Sequence, residues 1–143
     1  MAITQAMATS FKVQLLNGQQ NFSSNTFKLA LYTSSATINE NTTAYSATNE
    51  VPSTGNYSAG GNTLTVSVTP TNSGNVAYIS FANTSWANAT ITAAGALIYN
   101  NSQSNAAVCV LNFGGDKTST NGTFAVNFPT ADASNAIIRL TAS

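Results

Sequence analysis

The stretch Asn62–Phe81, NTLTVSVTPTNSGNVAYISF, decides the fold class. Leu64, Val66 and Val68 recur every second residue, which places them on one face of a pleated strand. Pro70 and the run Thr71-Asn72-Ser73-Gly74-Asn75 then carry turn chemistry. Beyond it Ala77, Ile79 and Phe81 alternate against Val76 and Tyr78. Two runs of period two joined by a turn predict an antiparallel pair.

The same grammar continues toward the C-terminus. A short piece at Thr90-Ile91 precedes Ala96–Tyr99, and Asn100–Asn105 reads as a turn. Ala106–Phe113 is almost entirely apolar, which predicts a strand at the centre of the fold. Gly114-Gly115-Asp116 and Thr118–Gly122 read as another loop. Phe124, Val126 and Phe128 alternate, Pro129 ends that run, and Ala136–Thr141 makes the last strand.

Toward the N-terminus the period changes. Phe27, Leu29 and Leu31 still alternate, but Ile3, Met7, Phe11 and Leu15 recur every four residues, which predicts a helix over about 3–17 capped by Gly18. Its stripe packs on a sheet or receives a partner. Between these segments, Ser34–Gly61 is a long run of Ser, Thr, Asn and Gly. Irregular stretches above about 12–15 residues are uncommon unless they contact something. It is therefore the first candidate for a binding surface, with Tyr45 and Tyr57 as amphipathic contacts.

Short strands, frequent turns and no alternation with helices predict a mainly β chain: an antiparallel β-sandwich, jelly-roll or Ig-like, with one N-terminal helix. No repeat or linker divides residues 1–143, so one domain is expected.

Composition narrows the function. Charged residues are 6% of the chain, four basic and four acidic, while 43% is apolar and the net charge is zero. That balance rules against disorder, which needs few apolar residues and a large net charge. Four scattered cations make a poor phosphate-binding face, so no nucleic-acid partner is expected. No segment approaches the roughly 18 apolar residues of a membrane helix, and no secretory signal is visible, so synthesis and assembly in a reducing cytoplasm are expected. Cys109 has no second cysteine and sits in an apolar run, which predicts a buried small hydrophobe.

Catalytic constellations are scarce. Histidine is absent, which removes Ser-His-Asp and Cys-His nucleophiles and the His-containing zinc sites. Gly114-Gly115-Asp116-Lys117-Thr118 matches only fragments of a phosphate loop. Glu40, Glu50, Asp116 and Asp132 offer few pairs for glycoside hydrolysis, and the aspartates read as turn formers. A calcium site around Asp116 has no matching ligand loop. The expectation is a non-enzyme without catalytic residues, metal or other cofactor. Trp86 belongs either to the core or to a binding hot spot. The candidate interface residues are Met7, Phe11, Tyr45, Tyr57 and Trp86.

One resemblance spans nearly the whole chain. Met1-Ala2-Ile3-Thr4, Leu15-Leu16-Asn17-Gly18 and Thr26-Phe27-Lys28-Leu29-Ala30-Leu31-Tyr32-Thr33 resemble a family of small structural proteins of tailed phages. So do Tyr45-Ser46-Ala47-Thr48-Asn49-Glu50-Val51, Gly95-Ala96-Leu97-Ile98-Tyr99-Asn100, Phe113-Gly114-Gly115-Asp116-Lys117-Thr118-Ser119 and Asn135-Ala136-Ile137-Ile138-Arg139. The resemblance implies a virion component that decorates or cements the icosahedral capsid by binding the major capsid protein, with a homotrimer as the analogous oligomer. A tail, fibre or neck component is the alternative within that class. A carbohydrate-binding β-sandwich using Trp86, Tyr45 or Tyr57 as a sugar platform is the alternative outside it.

Overall fold

The computed structural model describes residues 2–141. Met1 and the last two residues of the expected 1–143 domain lie outside the described residues. The chain runs β1 (Ala6–Met7), α1 (Thr9–Leu16), β2 (Phe27–Tyr32), β3 (Asn62–Leu64), β4 (Val66–Ser73), β5 (Val76–Phe81), β6 (Thr84–Asn100), β7 (Ala106–Val126) and β8 (Ile138–Leu140). Two antiparallel sheets result, one ordered β1-β7-β6-β2-β3 and the other β4-β5-β8, as expected for a β-sandwich with one short helix.

The antiparallel pair read from Asn62–Phe81 is present between Val66 and Phe81, with Ser73 opposite Val76 and Val66 opposite Phe81, but the strand read over Asn62–Val68 is split, and Asn62–Leu64 pairs with β2 in the other sheet. Pro70 does not end its first strand. It lies within β4, where register shifts interrupt the ladder and Pro needs no donor. Only Thr65 separates β3 from β4, and only Ala82 and Asn83 separate β5 from β6. The Ala82 amide donates to the Thr65 carbonyl at 2.8 Å, so the two chains cross from one sheet to the other side by side.

The expected 3–17 helix is corrected to Thr9–Leu16. Ile3 instead forms a parallel bridge with Ile38, and Ala6 and Met7 pair with Val110 and Cys109. The reason lies in the spacing. Four residues return a side chain to the same face in a strand as well as in a helix, so Ile3 and Met7 fit either. The unpaired backbone of β7 beside them selects the strand. From Thr9 onward Phe11 is fully buried and anchors one turn of the helix, which ends at Asn17 with Gly18 at φ +78°.

Two sequence expectations merge in the long hairpin. Thr90-Ile91 and Ala96–Tyr99 are parts of one strand, β6, and the run expected to be central, Ala106–Phe113, begins β7, second from the edge. The fully buried centre is β6 between β7 and β2, where Ala96, Leu97 and Ile98 have no exposed surface. The loop expected at Gly114-Gly115-Asp116 and Thr118–Gly122 lies inside β7, where the first part is a bulge and the second pairs with β6. Ala93 faces Lys117 and Gly95 faces Asn112, so Phe113–Asp116 stand against Ala94 alone.

An aromatic cluster holds the sheets together. Phe27 of β2 stacks on Phe22 at 4.5 Å, Phe81 of β5 sits 5.8 Å from Phe27, and Phe11 meets Phe22 edge-on. Each such ring contributes roughly 1.5–3 kcal/mol by burial alone. Cys109 is buried and unpaired, in line with the sequence reading.

Candidate interaction site

The segment between β2 and β3 has almost no regular structure, yet it is stitched to the sheet at both ends. The Thr33 amide donates to the Asn49 carbonyl and the Val51 amide to the Leu31 carbonyl, which extends β2 with a bridge at Glu50. Farther out, the Thr9 amide donates to the Glu40 carbonyl, Ala107 to Thr43, and Tyr45 to Asn105.

Glu50 ties the segment together from inside. It is 8% exposed, and both oxygens are occupied. The Tyr45 hydroxyl donates to Oε1 at 2.6 Å, while the Tyr57 hydroxyl and the Gly60 amide donate to Oε2 at 2.6 and 2.7 Å. The Leu31 amide in turn donates to the Tyr57 hydroxyl at 2.9 Å, so the chain of bonds reaches β2. Tyr99 of β6 donates to the Gly60 carbonyl at 2.7 Å and stacks on Tyr45 at 4.8 Å, and Tyr32 donates to the Ser46 carbonyl. A buried carboxylate is costly unless its lone pairs are filled, and here neutral donors fill them. With its oxygens so engaged, Glu50 acts as a clasp.

The clasp perturbs its phenols. Burial pushes the Tyr32, Tyr45 and Tyr57 hydroxyls well above the ordinary phenol value, helped at Tyr45 and Tyr57 by the hydrogen bond to Glu50. Burial and the Glu50 charge push Tyr99 up to about 12, and burial pushes the Cys109 thiol up to about 12. In the unfolded chain these groups release protons from about pH 9 for the thiol and about pH 10 for the phenols. The folded chain holds those protons, so their contribution to stability is complete below about pH 9 and is lost as pH rises toward and past 12. Each group released only on unfolding removes about 1.4 kcal/mol per pH unit. Urea titrations at stepped alkaline pH should show falling midpoints, with the absorbance of the Tyr32, Tyr45, Tyr57 and Tyr99 phenolates appearing together with unfolding. Ionisation of these four phenols near pH 10 in a chain that stays folded would contradict this.

The candidate interface residues divide. Tyr45 and Tyr57 converge on Glu50, but Tyr57 is 2% exposed. Trp86 is buried, 5.6 Å from the Tyr57 ring and edge-on to Phe124, so the core alternative holds for it. Phe11 is likewise buried against Phe22, which makes the α1 face a packed one. Phe11, Tyr57 and Trp86 therefore offer no free surface, because their rings fill the interior. Met7 is half-buried in β1, and Tyr45 is half-buried with one ring face covered by Tyr99.

Other residues make the exposed apolar surface. Leu16 is 90% exposed, Val13 56% and Leu140 48%. Leu140 also lines a cleft of about 150 Å³ shared with Leu15, Phe22, Pro70, Ala77 and Ile138, among others. Leu16 adjoins Leu15 in sequence without sharing its four-residue stripe, and that off-stripe position was the available signal. Asp132 is a turn former, accepting from the Ser134 and Asn135 amides, as the sequence suggested.

Among the described residues no cluster of three or more His, Cys, Asp or Glu could hold a metal ion, and no helix is long and apolar enough to cross a membrane. No family model, curated protein or solved structure matches this chain.

Proposed function

We propose that this chain is a structural protein of a tailed-phage particle that decorates or cements the icosahedral capsid by binding the major capsid protein. Its resemblance to small tailed-phage structural proteins supplies the class. The observation that carries the mode of attachment is exposed apolar surface at Val13, Leu16 and Leu140, with Leu140 lining the Leu15–Phe22–Ile138 cleft, in a chain with only 6% charged residues. Attachment then rests on apolar burial and neutral hydrogen bonds, and weak contacts add up because a shell presents many identical sites.

Two measurements test this reading. Imaging of intact particles should place the protein on the shell in numbers that track the capsid subunits, whereas a handful of copies at one vertex would assign it to tail, fibre or neck. Binding to emptied shells should change less than about tenfold between about 50 and about 200 mM salt, since charge-driven attachment loses about a thousandfold or more over that range. A loss of that size, or absence from every particle, would overturn the proposal.

A further inference from the structure

The chain contains two Asn-Gly dipeptides, Asn17-Gly18 and Asn121-Gly122, and the fold places them in opposite surroundings. Such a pair is chemically labile. Glycine has no side chain to shield its amide nitrogen or to restrict its backbone, so that nitrogen can reach the side-chain carbonyl carbon of the preceding asparagine. Whether it does so depends on how freely the backbone between the two residues turns.

At Asn17-Gly18 little holds it. Asn17 closes α1, and its exposed side chain has no hydrogen-bond partner among the described residues. Gly18 lies at φ +78°, with nothing within 4 Å of a built Cβ. Its amide donates to the Leu15 carbonyl at 3.4 Å, a long bond, while the Gln19 amide carries the cap at 2.9 Å from the Gln14 carbonyl. The last turn of a helix is also where fraying costs least.

Asn121-Gly122 is tied down. It stands where the β6–β7 ladder shifts register, with Asn121 at φ +48°. Even so, the Asn121 amide donates to Thr90 Oγ1 at 3.1 Å, and that hydroxyl reaches Asn121 Oδ1 at 3.5 Å. Gly122 faces Ala89 across the ladder.

We infer that Asn17 is the chain's site of spontaneous deamidation, with water as the co-reactant. The Gly18 nitrogen attacks Asn17 Cγ. A C–N bond forms, the Cγ–Nδ2 bond breaks, and ammonia leaves carrying the proton shed by the Gly18 nitrogen, which closes a cyclic imide. Water then opens the ring. Opening at Cγ leaves an aspartate; opening at the main-chain carbonyl leaves an isoaspartate, whose chain runs through the former side chain. Both products put a carboxylate beside Leu16 at the C-terminal end of α1, where the helix dipole disfavours negative charge. The isoaspartyl link also lengthens the main chain before Gln19, which displaces the Gln19 amide from the Gln14 carbonyl. The reaction needs no partner and holds whether or not the chain sits on a capsid.

The test is to incubate folded protein in heavy-oxygen water and map its peptides by mass spectrometry. Label should enter position 17 more than about tenfold faster than position 121, because a frayed helix end opens at almost no cost and a paired strand does not. In concentrated urea the two rates should converge, since glycine follows both asparagines. Isoelectric focusing should show an acidic species growing in aged wild type, whose formal net charge starts at zero. Asn17→Gln should remove that species, because the longer side chain closes a larger ring far more slowly. Label entering position 121 as fast as position 17 in folded protein, a difference that persists in urea, or an acidic species undiminished in Asn17→Gln would each overturn the inference.

Discussion

Glu50→Ala is expected to cost about 3–5 kcal/mol and to release the Ser34–Gly61 segment from the sheet. The substitution removes one acceptor group but orphans three donors: the Tyr45 and Tyr57 hydroxyls and the Gly60 amide. Each buried donor left without a partner costs about 1–3 kcal/mol, with Tyr45 at the low end because it is half-exposed and can reach water. Glu50→Gln should cost far less, about 1–2 kcal/mol. Its carbonyl oxygen can take the Oε2 position and accept from Tyr57 and Gly60. Its amide can then face Tyr45, whose hydroxyl rotates to accept. Denaturant midpoints would rank the variants, and limited proteolysis would show cutting within 34–61 in the alanine form first. Equal losses for the two variants would mean that the segment is held by something other than this hydrogen-bond geometry.

Gly61→Ala is the second large effect, expected at about 3 kcal/mol or more. Gly61 has φ +74°, and a Cβ there would overlap the Leu29 carbonyl oxygen and crowd the Ala30 Cα. Both neighbours are backbone in β2, which is paired on both sides and cannot retreat. Gly74→Ala is the matched control. Gly74 has φ +58° in the β4–β5 turn with nothing within 4 Å of a built Cβ, so it carries only the backbone cost of about 1–2 kcal/mol. The difference between the two measured by chemical denaturation isolates the steric overlap, and similar values for both would remove it.

Much of the β architecture was legible because it depends on neighbours in the chain. Alternation at Val66–Val68, Ala77–Phe81 and Phe124–Val126 locates real strands, since period two is a local property, but it did not show that the chain changes sheet at Thr65. Strand extent was not legible. Gly114 and Gly115 signal a loop, yet the partner strand continues past them and turns the loop into a bulge. The helix start failed for a related reason, because the choice between extended and helical backbone at Ile3–Met7 was made by a free edge about a hundred residues away in β7.

The candidate site was half legible. Ser34–Gly61 stood out by length, and Tyr45 and Tyr57 by their aromatic rings. Glu50 did not, because its role requires two phenols and an amide from separate turns to meet, and no spacing rule encodes that. Burial of Phe11, Tyr57 and Trp86 equally depends on packing against Phe22, Trp86 and Phe124, which only the assembled sheets provide.

The β6–β7 hairpin also sets an order for chain collapse. Its strands are joined by the short Asn101–Asn105 turn and zip from there, whereas β2 must bring Phe27 opposite Asn100 and Tyr32 opposite Gly95 from far upstream. Closing the small loop first costs less entropy, so the hairpin is expected to form before β2 docks onto it. In that order the edge at Ala96, Leu97 and Ile98 stays unpaired until β2 arrives, and an exposed apolar edge of this kind is what favours aggregation of partly folded chains.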